Sequence, residues 1–202
     1  MKPRIISEQK ITPFANKYKL FVVDENGTKS ELKALAQQKR FAFKEKVMFY
    51  ADEAKNQPIF SFRAEKVLDI HGQYFVEDTE GDLLGSFKKQ FKQSILKSTW
   101  VVMDAEGIER YVVTESSRFI ALLRRFGGQI PIIGGVFEIL ALLLKYHFDI
   151  VVADGNRQVG SYIKITLFRD HYEMSLDDGA VNDIDERVWM AMAVGLDALQ
   201  SR

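Results

Sequence analysis

Apolar residues recur along this chain with two different periods, and the change of period is the first guide to its fold. Four segments share one grammar: apolar β-formers, a turn containing Asp, then more β-formers. They are Val22-Val23-Asp24-Glu25-Asn26-Gly27, Val76-Glu77-Asp78-Thr79-Glu80-Gly81, Val102-Met103-Asp104-Ala105-Glu106-Gly107 and Val151-Val152-Ala153-Asp154-Gly155-Asn156. An Asp side chain bonds backbone amides ahead of it, and Gly accepts the positive φ that closes such a loop. Each segment therefore predicts a hairpin. Between them, residues 59–68 alternate and put Phe60, Phe62, Ala64, Lys66 and Leu68 on one face of a strand. Residues 40–50 alternate less cleanly, because Glu45 interrupts the side formed by Phe41, Phe43, Val47 and Phe49. A late hairpin is expected from residues 162–167 and 172–176, and a short helix capped by Ser30 over residues 30–38.

The C-terminal pattern differs in kind. Asp183, Asp185 and Glu186 make an acidic first turn, with Asp183 and Glu186 at capping-box spacing. Nine residues without a polar side chain follow, Val188 to Leu196. A helix that is apolar all round is buried all round, and this one is far shorter than the roughly 20 apolar residues that span a bilayer. In a β-rich chain the economical solution is a sheet wrapped around the helix. Leu84-Gly85-Ser86-Phe87-Lys88-Lys89 and Val159-Gly160-Ser161-Tyr162-Ile163-Lys164 repeat one pattern, which suggests two related halves of one barrel.

With 202 residues and 47% hydrophobic content, the chain fits one domain, residues 1–202, with a sizeable core. Its net charge is zero but unevenly placed: residues 1–100 hold 18 Lys/Arg and 13 Asp/Glu, and residues 101–202 hold 10 and 15. That asymmetry fits either one basic face or two halves that attract each other. The absence of cysteine excludes disulfides, thiol catalysis and S-acylation. The first residues lack the apolar run of a secretory signal, so a cytoplasmic location, peripheral at a membrane if lipid is bound, is expected.

Several stretches resemble one family. Residues 36–45 (Ala-Gln-Gln-Lys-Arg-Phe-Ala-Phe-Lys-Glu), 49–53 (Phe-Tyr-Ala-Asp-Glu), 94–100 (Ser-Ile-Leu-Lys-Ser-Thr-Trp) and 193–200 (Ala-Val-Gly-Leu-Asp-Ala-Leu-Gln) are similar to bacterial LURP-one-related proteins of the tubby C-terminal-like superfamily. The resemblance implies a roughly twelve-stranded closed β-barrel around a central hydrophobic C-terminal helix. More distant members include phospholipid scramblases and phosphoinositide-binding tubby domains. The chain departs from the scramblase pattern: it has no proline-rich arm, no cysteine cluster and nothing hydrophobic after the helix.

Local signatures of catalysis are missing. His71, His147 and His171 are scattered, and no phosphate loop or nucleophile elbow occurs, so a non-enzymatic domain without an obligatory cofactor is expected. The acidic run 177–186 offers Asp177, Asp178, Asp183 and Asp185 as a weak calcium candidate, in a region where scramblase-like relatives imply a calcium segment. Calcium needs six to eight oxygens, the spacing is not that of an EF-hand, and helix capping already explains the acids. Lys88, Lys89, Lys92 and Lys97, interleaved with Phe87, Phe91 and Trp100, read either as the solvated face of a hairpin or as a patch for anionic lipid headgroups. Four such lysines supply about 4 kcal/mol, a millimolar affinity, so a second contact is needed. The most hydrophobic stretch, an expected insertion of two short helices over residues 117–148, could provide it. Three destinations stay open for that insertion: the barrel's outer surface, a homodimer interface, or shallow insertion into lipid with Arg124, Arg125 and Lys145 at the headgroups. Zero net charge and core-like aromatic spacing argue against nucleic acid. The leading expectation is thus a domain that binds a lipid surface or amphiphile. A homo-oligomeric scaffold is the alternative, and a calcium-dependent scramblase a weaker one. With the helix filling the interior, no deep small-molecule cavity is expected.

Overall fold

The structure, a computed structural model, describes residues 4–11, 15–23, 28–39, 46–65, 72–90, 98–116, 147–155, 157–166 and 170–200. Within them are twelve strands: β1 (Arg4–Ile11), β2 (Ala15–Val23), β3 (Lys29–Lys39), β4 (Val47–Tyr50), β5 (Pro58–Ala64), β6 (Gln73–Asp78), β7 (Leu83–Gln90), β8 (Thr99–Met103), β9 (Glu109–Glu115), β10 (Phe148–Val152), β11 (Gln158–Lys164) and β12 (Asp170–Leu176). Each pairs antiparallel with its sequence neighbour, and β1 pairs with β12, so the sheet closes on itself. Closure removes the exposed edges that would otherwise invite intermolecular pairing. Two helices follow, α1 (Asp178–Asp183) and α2 (Glu186–Gln200).

The expected central helix is α2. Val188, Trp189, Met190, Ala191, Met192, Ala193, Val194 and Leu196 are all buried, and their contacts reach opposite walls. Val188 packs against Gly85 on β7, the Ala193 carbonyl accepts from Tyr162 on β11, and Asp197 accepts from Tyr18 on β2. The barrel wall turns one residue in two toward the helix, as strand alternation requires. From β4 to β8 the inward set is rich in aromatics, with Val47, Val76 and Val102 interspersed. Phe49 stacks on Phe60 at 4.1 Å and Tyr74 on Phe87 at 5.3 Å, with Trp100 beyond. Among the described residues, no helix is long and apolar enough to cross a membrane.

Several expectations change. Residues 30–38 form strand β3, not a helix. Their Ala, Leu, Lys and Gln favour helix intrinsically, but the preference is worth tenths of a kcal/mol per residue, about what a sheet position can override. Ala34 and Ala36 are buried at period two, and the strand pairs with both β2 and β4. The Ser30 hydroxyl, read as a helix cap, instead accepts from the Val22 amide and donates to the Glu31 carbonyl. The cap of α2 also moves. Asp183 ends α1, and the Asp185 carboxylate accepts from the Arg187 amide at 2.9 Å. The strand expected over 59–68 is observed over Pro58–Ala64, with Phe60 and Phe62 in the core. That expected over 40–50 is observed from Val47 onward. Residues 24–27, 40–45 and 66–71 lie outside the described residues, as do 117–146, which hold most of the expected helical insertion.

The sequence repeat falls on β7 and β11, four strands apart rather than the six that would relate two halves of this barrel. The two copies do solve one packing problem alike. A Cβ at Gly85 would lie 2.7 Å from the Met103 carbonyl oxygen, and one at Gly160 would lie 2.3 Å from that of Ser175. Two residues later Phe87 and Tyr162 point inward and are buried. The pattern is a close strand approach followed by an aromatic in the core.

Candidate functional site

The meander gives the barrel two chemically different ends. At one end the strands are joined by residues 24–28, 51–57, 79–82, 104–108 and 153–157, and β12 leads into α2 through 177–185. These connections contain 13 Asp/Glu and 2 Lys/Arg. At the other end the connections are 12–14, 40–46, 65–72, 91–98, 116–147 and 165–169. These contain 11 Lys/Arg and 4 Asp/Glu. The sequences that join the strands at the two ends thus differ in net charge, −11 at one and +7 at the other.

Turn chemistry explains much of the acidic end. Asp78 Oδ1 accepts from the amides of Glu80, Gly81 and Asp82, each at 2.9 Å. Asp104 accepts from the Ile108 amide at 2.8 Å and from Arg110 Nε at 2.6 Å. Asp52, in a hairpin that the Asp-turn grammar did not pick out, accepts from the amides of Asn56 and Gln57. Amide donors from the turn, led by that of Asp82, hold the Asp78 carboxyl below its ordinary value. Three of the four calcium-candidate residues have protein partners here. Asp177 caps α1 through the Ala180 amide and pairs with Arg157 at 3.0 Å. Asp183 accepts from the Tyr111 hydroxyl at 2.6 Å, and Asp185 is gripped by Arg187. Asp178 is exposed in the first turn of α1. Among the described residues, no three His, Cys, Asp or Glu side chains are grouped as a metal site.

The basic end is where the expected lipid patch falls, and the structure divides it. Lys88 is exposed on the outer face, opposite Val101. Lys89, its neighbour on the strand, turns inward at the rim, with Nζ 5.5 Å from the centre of the Trp100 ring. Adjacent strand residues cannot share a face. Phe87 and Trp100, read as apolar partners of the patch, belong to the core. Lys92, Lys97, Arg124, Arg125 and Lys145 lie outside the described residues. The described strand ends that flank 91–97 and 117–146 are adjacent, however: Gln90 pairs with Thr99, Thr99 with Thr114, and Phe148 with Glu115.

Inside the barrel, toward this same end, lies a polar wall that sequence reading missed. Tyr18 donates to Asp197 Oδ2 at 2.9 Å, and Tyr172 donates to Oδ1 at 2.7 Å. Gln9 donates to the Tyr18 hydroxyl at 3.1 Å. Lys164, almost wholly buried, pairs with Asp170 at 2.7 Å. Inward-facing Ser7 on β1 lies between Leu20 and Tyr172 in register, and its buried hydroxyl has no hydrogen-bond partner among the described residues. Burial pushes the Asp197 carboxyl above its ordinary value, against the two phenol hydrogen bonds and the nearby Lys164, which favour the charged form. Burial and the adjacent carboxylate push both phenols up. The only sequence signal was one acid closing an apolar helical run.

A comparison with curated proteins gives no match. A family model described as LURP-one-related matches residues 32–197, from within β3 to Asp197 itself, and leaves β1 and β2 outside the match. On that match the chain belongs to the LURP-one-related family.

Proposed function

We propose that this domain is a non-enzymatic module that docks end-on, through its basic rim, to an anionic lipid surface or amphiphile. The observation that carries the proposal is the charge of the sequences joining the strands, net acidic at one end of the barrel and net basic at the other. Each Lys or Arg near an anionic membrane contributes about 1 kcal/mol. A net excess of 7 basic residues over acidic ones in the connections at that end then supplies about 7 kcal/mol, which corresponds to roughly 10 μM. That is tighter than four lysines alone would give. The acidic rim does not cancel it. Strands of 7 residues such as β5, at about 3.3 Å per residue and tilted by about 40°, hold the two rims roughly 18 Å apart. The Debye length in physiological salt is about 8 Å. The family's link to tubby-like lipid binders supports the same reading. Lys88 on the outer wall contributes charge, and the apolar sequence of 119–144, entering and leaving by the same rim, contributes contact.

Flotation with neutral and anionic vesicles at low and high salt tests this. Binding to anionic vesicles that weakens in salt is the expected result. Binding that ignores both lipid charge and salt would assign the contact to the apolar segment alone. No binding under any condition would refute the proposal and favour the homo-oligomeric scaffold, read by light scattering.

A further inference from the structure

One pair of side chains breaks the matching of charges along the outer wall of β1 and β2. In register Glu8 faces Lys19, but Lys10 faces Lys17, and like charges directly opposite each other on one sheet face repel. Gln9 and Tyr18, the pair between, point into the barrel, so Lys10 and Lys17 stand on its outside. Lys10 is exposed and Lys17 half-buried. Neither has an acidic partner among the described residues, because Glu8 accepts from Lys29, and Glu53 accepts from Lys19 at 2.6 Å. A third cation stands beside the pair. Lys17 faces Gln37 on β3, whose side-chain oxygen accepts from Lys55 Nζ. The row Lys10, Lys17, Gln37 and Lys55 thus brings three ammonium groups together with no carboxylate among them.

We propose that Lys10 and Lys17, with Lys55 beside them, form a binding site for a phosphate monoester. Opposed Cβ atoms on neighbouring strands are about 5 Å apart, and a lysine side chain is as long as that gap, so both Nζ atoms reach one group held between them. A phosphate monoester carries about −1.5 to −2 charges at neutral pH and three acceptor oxygens. It therefore neutralises both lysines and bonds both, whereas a phosphodiester, with one charge, neutralises only one. The site deepens the docking reading and rests on it for the ligand's source. Lys10 and Lys17 flank the connection 12–14, at the end whose joining sequences are net basic. Lys88 on β7 is on the far side of the barrel, since β1 and β7 are six strands apart in a ring of twelve. Both lysines precede residue 32, where the family match begins.

Nuclear magnetic resonance of the whole chain tests the site, with inorganic phosphate as the probe and sodium chloride at matched ionic strength as the control. Phosphate should move the Lys10 and Lys17 amide resonances saturably, and chloride should not. Replacing both lysines, Lys10→Gln with Lys17→Gln, should weaken phosphate binding by about tenfold or more, since two charge-assisted hydrogen bonds are lost. The double variant relieves a repulsion on the surface, so it should melt no lower than wild type. Lys33→Gln, which removes an exposed lysine of β3, should leave phosphate binding unchanged. Equal shifts in phosphate and chloride overturn the proposal, and so does phosphate binding that survives the double replacement. Flotation with vesicles of equal surface charge, bearing either phosphatidic acid or phosphatidylglycerol, then identifies the source of the phosphate. A preference for phosphatidic acid that the double variant loses assigns the site to a lipid headgroup. Phosphate binding without that preference assigns it to a soluble phosphate ester. The titration contains no lipid, so failure of the site and failure of docking are read separately.

Discussion

Replacing Trp189 probes the enclosure of α2 directly. Its indole is fully buried, packs on Tyr111 at 5.5 Å between ring centres, and donates to the Ala180 carbonyl at 3.0 Å. Trp189→Ala removes a large side chain from a closed wall that cannot collapse far, which costs about 3–5 kcal/mol. It also strands the Ala180 carbonyl oxygen, for about 1–3 kcal/mol more. The better helix propensity of Ala returns less than about 1 kcal/mol. The net loss, about 3–7 kcal/mol, is a large part of the roughly 5–15 kcal/mol that holds a domain together. Trp189→Phe keeps a ring and loses the N–H donor, so about 2–3 kcal/mol is expected. Urea unfolding followed by far-ultraviolet circular dichroism measures both, with the slope m checked for constancy. A loss under about 1.5 kcal/mol for Trp189→Ala would refute the reasoning, because a helix lying on the outside of a sheet would show that smaller value.

Three further outcomes follow from named contacts. Gly85→Ala should cost about 1–3 kcal/mol, since the new methyl meets the Met103 carbonyl oxygen and Val188, whereas Gly155→Ala, with nothing within 4 Å, should be near neutral in the same urea assay. Asp78, held below 3.8 first by the Asp82 amide, adds stability that is full above that value and lost as pH falls through its lowered folded-state pKa. The gap in melting temperature between wild type and Asp78→Asn should therefore narrow as pH falls below the ordinary carboxyl value, and a constant gap would contradict the turn geometry. Lys88→Glu on the outer wall should weaken anionic-vesicle binding by about tenfold or more, from a two-unit charge change at about 1 kcal/mol each. Equal flotation of the two proteins would remove Lys88 from the interface.

The sequence made legible what depends on local chemistry. Asp78 and Asp104 announced their hairpins because one carboxylate gathering successive amides is a contact within five residues. The run from Val188 to Leu196 announced a buried helix because no polar side chain interrupts it. β3 was illegible for the converse reason: Ala34, Leu35 and Ala36 are good helix formers, and only the neighbouring β2 and β4 make a strand of them. Lys88 and Lys89 looked like one patch because they adjoin in sequence, although strand alternation already implied opposite faces. Asp197 showed only as one acid closing an apolar run, with nothing to mark it as buried. An acid near the end of a helix ordinarily meets water, and its partner Tyr18 lies 179 residues away, brought close only by the pairing of β1 with β12.

End-on docking is tested most directly by which rim a vesicle covers. The chain has no cysteine, so Ile108→Cys and Ile165→Cys each give a single labelling site. Ile108 is exposed in the β8–β9 hairpin at the acidic end, and Ile165 is exposed just after β11 at the basic end. With an environment-sensitive fluorophore at each position and anionic vesicles carrying a quenching lipid, the label at 165 should be shifted and quenched while the label at 108 stays unchanged. Quenching at 108, or at both positions alike, would contradict docking through the basic rim.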